Sequence, residues 1–197
     1  MSLETASVKT DFDLIDEFKA GNEQAFNELV SRYKEKAVQL ACVTVGNYED
    51  AKDVSQEAFV KVYHALKTFE ARSKFTTWFY RILMNAAKDF LRKKKWLKFI
   101  GSGEKEEGEI FDRLVDPGVS PVKGLLNKEL DHHMASAIKK LPFKQQWVFI
   151  LRFIEGFSIQ EISETAQLAE GTVKATLHFA IEKFKKEMTP YLEEGGR

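Results

Sequence analysis

The chain has little thiol chemistry available, because Cys42 is its only cysteine. That excludes an intramolecular disulfide framework and a cysteine-built zinc site. Proline is scarce, with four in 197 residues, so few breakers interrupt helical pattern. No apolar run approaches the ~20 residues that span a bilayer. The opening MSLETASVKTDFD has neither a basic n-region nor an apolar core, so it is not read as a signal peptide and the expected compartment is the cytoplasm. There is no excess charge either: 30 Lys+Arg offset 30 Asp+Glu. A blanket polyanion binder is therefore not expected, although segregated charge can still build a basic patch. A Ser-His-Asp order, a phosphate loop and an HExxH motif are all missing, so neither enzymatic activity nor a cofactor is expected. His132 and His133 are adjacent and point ~100° apart on a helix, so they cannot chelate one metal together. No metal site is expected.

What is present is helical. From Asp11 to Trp96 the apolar spacing is continuous, broken by glycine only at Gly21 and Gly46. Asn22 is placed to cap a helix carrying Phe26, Leu29, Tyr33, Ala37 and Leu40 on one face. Asn47 with Asp50 opens the next, with Val54, Ala58, Val62 and Leu66 inward, and Cys42 reads as a small buried residue. A third helix is expected from about Phe75 to Lys95, burying Phe75, Phe79, Ile82, Ala86 and Phe90. The stretch from Ile100 to Asn127 is rich in Gly, Pro and acid and reads as a flexible linker, within which Ile110, Phe111, Leu114 and Val115 suit one short docked turn. Helical pattern resumes at Leu125, with Leu130, Met134, Ala137, Ile138 and Leu141 in one stripe. Pro142 suits a first helical turn, Gly156 a stop, and Ser158 with Glu161 a capping box. The expected fold is all-α, as two small helical domains over 11–96 and 129–191 with a linker over 97–128.

Two stretches carry chemistry. A short helix to Ala166, the turn QLAEG and a long helix from about Glu170 to Met188 give the steep crossing of a DNA-reading helix-turn-helix, a spacing that a plain helical hairpin shares. On the long helix Val173, Leu177, Ala180 and Phe184 face inward, while Lys174, Ala175, His178 and Phe179 lie outward; an exposed phenyl suits a thymine methyl or a partner surface. The helix from Phe75 bears a second stripe beside its core face: Trp78, Arg81, Asn85, Lys88 and Arg92. Cations neutralise phosphate, an amide reads a base edge and an indole stacks, which are the requirements of a nucleic-acid face.

These segments resemble a known family. LPFKQQWVFILRFIEGFSIQEISETAQLAEGTVKATLHFAIEKFKK is similar to domain four of bacterial RNA polymerase sigma factors of the extracytoplasmic-function group, and DAKDVSQEAFVKVYHALKTFEARSKFTTWFYRILMNAAKDFLRKKK is similar to their domain two. The resemblance implies a sigma initiation factor that binds core polymerase, directs it to promoters and helps melt the minus-ten region. By it, Asp50, Asp53, Gln56 and Glu57 dock on the clamp helices of the largest polymerase subunit, and domain four meets the flap of the second. The loop Phe69–Lys74, with Phe69, Arg72, Ser73 and Lys74, captures a flipped minus-ten base beside Trp78, Arg81, Asn85, Lys88 and Arg92. Glu170, Thr172, Lys174, Ala175, His178 and Phe179 are the positions facing the minus-thirty-five element, and an anti-sigma factor is an expected partner.

The chain also departs from the pattern. Gln167 stands where the family places glycine in the turn, so a left-handed non-glycine residue is expected there. Thr176, Phe179 and Ile181 occupy common arginine positions, and the free protein is expected to bind duplex DNA poorly. The linker acids Glu104, Glu106, Glu107, Glu109, Asp112 and Asp116 fit either mimicry of nucleic acid in a basic channel or simple solvation. Two rival functions stand beside the resemblance: a stand-alone dimeric helix-turn-helix regulator, and an adaptor that binds only proteins. No sustained heptad supports the first, and the second has no use for the Trp78–Arg92 stripe.

Overall fold

Side-chain caps set the first three helix starts of the computed structural model, which describes residues 9–102 and 128–194. Thr10 and Asp13 form a capping box ahead of α1 (Asp11–Lys19), with the Thr10 amide 2.8 Å from the Asp13 carboxylate. Asn22 caps α2 (Glu23–Val45), and Asn47 accepts from the Asp50 amide at 2.8 Å to open α3 (Tyr48–Leu66). Gly46 ends α2 at φ 94°, a left-handed turn that glycine takes without Cβ strain. α4 (Phe75–Ser102) completes this unit. It runs past the expected end at Lys95, since no glycine intervenes before Gly101.

The second unit contains α5 (Lys128–Lys139), α6 (Phe143–Phe153), α7 (Ile159–Ala166) and α8 (Glu170–Glu194), and no strand occurs among the described residues. Pro142 is the N-cap of α6 rather than its first helical residue. Ser158 and Glu161 form the expected capping box of α7. α8 passes Met188 and accommodates Pro190, and the Tyr191 ring, stacked on His133 at 3.6 Å, holds its last turns against α5. The linker turn and the acids proposed between 103 and 127 lie outside the described residues, as do the side chains of Leu130 and His132.

Each unit has an apolar centre. Leu14, Ile15, Leu29, Val54, Val62, Phe79 and Leu83 are buried where α1–α4 meet, and Cys42 is buried with them. Ile138, Trp147, Ile150, Ile162, Val173 and Ala180 fill the second. The units also touch. The buried Gln146 amide donates to the Val43 carbonyl at 3.1 Å and the Ile138 carbonyl at 3.3 Å. Tyr80, 1% exposed, donates its hydroxyl proton to Glu155 at 2.7 Å and packs on Phe157.

Gln167 ends α7 at φ 54°, ψ 48°, the left-handed conformation anticipated from its position. A non-glycine residue there costs about 1 kcal/mol relative to a favoured conformation. Gln167→Gly is therefore expected to stabilise the protein by up to about 1 kcal/mol, roughly 2–4 °C in Tm at this chain length. A thermal melt showing no gain would place the strain elsewhere.

Candidate nucleic-acid interface

The loop before α4 is held from both sides. The Lys19 ammonium donates to the Phe69 carbonyl at 2.6 Å, and Ala71 turns the chain at φ 54°, another left-handed non-glycine residue. Phe69 is 6% exposed, its ring 4.8 Å from that of Trp78 and edge-on to Phe75. Its ring thus forms an inner wall behind Trp78, while Arg72 and Lys74 are exposed and Ser73 is half-exposed. Arg72 pairs with Glu70 at 2.6 Å, an exposed contact that a phosphate can displace.

On α4 the expected stripe is present. Trp78 and Arg81 are half-buried, and Asn85, Lys88 and Arg92 are exposed in line beyond them. Arg92 leans on Asp89 at 3.1 Å. Trp78 and Arg81 join Arg72 and Ser73 along one wall of a cleft of about 420 Å³, whose far wall is Ser163, Glu164, Gln167 and Leu168. Thr77 also lines it; its hydroxyl is buried and has no hydrogen-bond partner among the described residues. Sequence reading passed over Thr77, because a threonine in a helix carries no sign of whether its hydroxyl is satisfied.

The second unit meets this loop directly. Lys74 donates to Glu161 at 2.7 Å, and the two hydrogen bonds, from Lys74 and from the Ser158 amide, bring the Glu161 carboxyl down to about 2. An unfolded glutamate takes its proton near 4.5, whereas the folded one stays ionised to about 2. The stabilisation is therefore complete above about pH 5 and disappears as pH falls from 4.5 through 2. Titration of Glu161 by carboxyl NMR should give a midpoint near 2, and Lys74→Met should raise it. A midpoint that Lys74→Met leaves unmoved would separate the two side chains.

The proposed polymerase-facing residues divide on inspection. Asp50 is half-buried, bonded to Asn47 and to Lys94 at 2.5 Å, so it helps to fasten α3 to α4. Asp53, Gln56 and Glu57 are exposed, with Glu57 on Lys61 at 2.6 Å. On α8, Glu170, Thr172, Lys174, Ala175, His178 and Phe179 are all exposed, and Phe179 stands 58% exposed with His178 edge-on to its ring. Phe179 thus offers an apolar surface on the outward face of the helix-turn-helix, as its angle suggested.

Together these features define a two-unit helical protein with a helix-turn-helix in its second unit and a basic, aromatic helix face in its first. The Sigma-70 region 2 family matches residues 29–97 and the Sigma-70 region 4 family residues 134–184. The ECF RNA polymerase sigma factor SigW of Bacillus subtilis is 34% identical over 88% of this chain and 94% of its own length. The ECF RNA polymerase sigma-E factor of Escherichia coli K12 is 32% identical over 93% and 96%. A solved structure of the sigma factor RpoE of Bartonella quintana in complex with the anti-sigma factor NepR shares the fold, with a TM-score of 0.65 at 21% identity over 83% of this chain and 96% of that one. The chain belongs to the extracytoplasmic-function group of the sigma-70 family, and its role is that of a sigma factor in promoter-specific initiation. Its relatives are regulatory initiation factors, and no catalytic family is indicated. Among the described residues no helix is long and apolar enough to cross a membrane.

Proposed function

We propose a division of labour among three faces of the chain. The exposed acids Asp53 and Glu57, with Gln56, dock α3 on basic side chains of the polymerase clamp helices, and Asp50 steadies that helix through Lys94. The Phe69–Lys74 loop and the α4 stripe take the minus-ten element, extruding one base toward Ser73 and Trp78 and helping to open the duplex. The outward face of α8, from Glu170 to Phe179, takes the minus-thirty-five element, while the second unit also meets the flap of the second polymerase subunit. The working domains are 11–96 and 129–191, joined through 97–128. An anti-sigma factor is a further partner, the protein acts in the cytoplasm, and the chemistry belongs to the polymerase.

The observation that carries this reading is the α4 stripe continuing directly from the loop. A cation, an amide and an indole share one face, beside a cleft with an unsatisfied hydroxyl at its edge. α7 and the turn after it form the far wall of that cleft, so reading the minus-ten element requires the Lys74–Glu161 contact to part.

Asn85 and Lys88 have different work in this scheme, and that difference tests it. Selection from a randomised minus-ten library by the polymerase-bound protein should show Asn85→Ala relaxing base preference at one position. Lys88→Ala should instead weaken all sequences alike and lower the salt slope by about one unit. Identical profiles for the two variants would contradict the assignment.

A further inference from the structure

We propose that the cleft between α4 and α7 binds a free nucleoside monophosphate, which holds the two units together and keeps the minus-ten face from DNA. This rests on the minus-ten reading of the loop and α4: a wall that takes one extruded nucleotide of a strand offers the same chemistry to a free one. The cleft has a volume of about 420 Å³, within the range of about 300–1,000 Å³ usual for small-molecule sites. Its walls come from different units, α4 and the loop before it on one side, α7 and the turn after it on the other.

Each part of a nucleotide has a counterpart on the α4 wall. Arg81 follows Trp78 by three residues and Thr77 by four, so on the helix surface it neighbours both, with Cβ atoms about 5–6 Å apart. The Trp78 indole is packed against Phe69 at 4.8 Å and Phe75 at 6.0 Å, and supplies a preset ring on which a base stacks. Arg81 is half-buried on this wall and forms no salt bridge among the described residues. With Arg72, whose Glu70 partner is exposed, it supplies the donors for a phosphate. Thr77 is 3% exposed, and its hydroxyl has no hydrogen-bond partner among the described residues. A buried hydroxyl is costly to leave unpaired, and a ring nitrogen, carbonyl or ribose oxygen of the ligand satisfies it.

The opposite wall sets the orientation. The Ser163 hydroxyl donates to the Leu168 carbonyl at 2.5 Å, so toward a ligand its oxygen accepts, which suits an exocyclic amine of a base. Glu164 is exposed on this wall; it accepts from an amine or a ribose hydroxyl and repels phosphate, directing it to the arginines across the cleft. A ligand that touches both walls binds only while the units are together. It therefore adds to the Lys74–Glu161 and Tyr80–Glu155 contacts by mass action and competes with the minus-ten strand for Trp78 and Arg81. Free nucleotide thereby sets the fraction of the protein open to a promoter.

Titration calorimetry on the full chain tests this with the 5′-monophosphates of adenosine, guanosine, cytidine and thymidine, and with adenosine and inorganic phosphate as fragments. At least one nucleotide should bind one to one with a dissociation constant of about 10–100 μM, and both fragments at least about tenfold more weakly. Thr77→Val keeps the shape and removes the hydroxyl, and should weaken binding about three- to tenfold, whereas Thr77→Ser retains most of the affinity. Arg81→Met should weaken it about tenfold or more. Lys74 lies outside the cleft, yet Lys74→Met loosens the junction and should also weaken binding, about threefold. Saturating nucleotide should slow hydrogen exchange in α7 and in the first turns of α4. No binding by any of the four nucleotides up to about 1 mM would overturn the proposal. So would binding that Thr77→Val and Arg81→Met leave unchanged, or equal affinity for inorganic phosphate, which would leave only an anion held by arginines. Binding indifferent to Lys74→Met, with exchange in α7 unaltered, would confine the ligand to α4 and overturn the bridging role. Asn85 stands outside the cleft, so its minus-ten selection profile separates the two readings. No effect of Asn85→Ala on base preference is a failure of the minus-ten reading, whereas absent nucleotide binding with that effect intact is a failure of this proposal alone.

Discussion

Replacing Asp53 and Glu57 together by lysine is expected to weaken binding to core polymerase by about tenfold to a hundredfold and to leave the thermal melt almost unchanged. Both side chains are exposed on α3, on the side away from the buried Val54, Ala58 and Val62. A single exposed ion pair is worth only about 0–1 kcal/mol, so one neutralisation would be lost in the noise. Reversing two charges also sets lysine against the basic side chains of the partner, which adds repulsion to the lost attraction. Asp50 is the wrong residue for this experiment. Its carboxylate holds the Asn47 cap of α3 and ties the helix to Lys94, so a loss on changing it would mix stability with docking. Normal binding by a folded Asp53→Lys, Glu57→Lys protein would remove this face from the polymerase contact.

The second large effect is expected at the junction of the two units. Glu155 is a carboxylate whose side chain is 8% exposed, with the Tyr80 hydroxyl at 2.7 Å and Lys36 at 3.5 Å. Burial and the neighbouring carboxylate hold the Tyr80 hydroxyl proton on well above the usual tyrosine range, so Tyr80 is the donor at any working pH. Tyr80→Phe removes that donor and leaves a buried carboxylate with one distant cation, at a cost of about 1–3 kcal/mol. The cost falls on the contact between the units rather than on either core, since Leu83, Phe79 and Ile150 keep their packing. Hydrogen exchange should therefore quicken in α7 and in the first turns of α4, with the middle of α2 and α6 still protected. Uniform acceleration across all eight described helices would mean that Tyr80 supports the global fold instead.

This junction also marks where sequence reading ran out. Helix starts at Asn22, Asn47 and Ser158 were legible because each cap is local, a side chain bonding an amide two or three residues on. The left-handed Gln167 was legible only through the resemblance, which places glycine at that turn position. The Trp78–Arg92 stripe followed from helical spacing alone. Pairings across seventy or more residues leave no such trace: nothing local links Tyr80 to Glu155, Lys74 to Glu161, or Gln146 to Val43. Asp50 illustrates the same limit on a smaller scale. Its place in an acidic stripe was visible, but its bond to Lys94 was not, because that depends on how α3 and α4 cross. The capping box of Thr10 and Asp13 is equally local, but it lies one residue ahead of Asp11, where the continuous helical pattern starts.

The residue assignments and the family role meet in one assay, transcription from a randomised promoter library by purified core polymerase with this protein added or withheld. The account predicts that the protein confers initiation on a narrow set of promoters sharing two spaced elements. It further predicts that Asn85→Ala broadens the downstream element and leaves the upstream one intact, because α4 and α8 read separate segments. Initiation that does not depend on the added protein, or tight sequence-specific duplex binding by the protein alone at near-physiological salt with no effect on core polymerase, would contradict it.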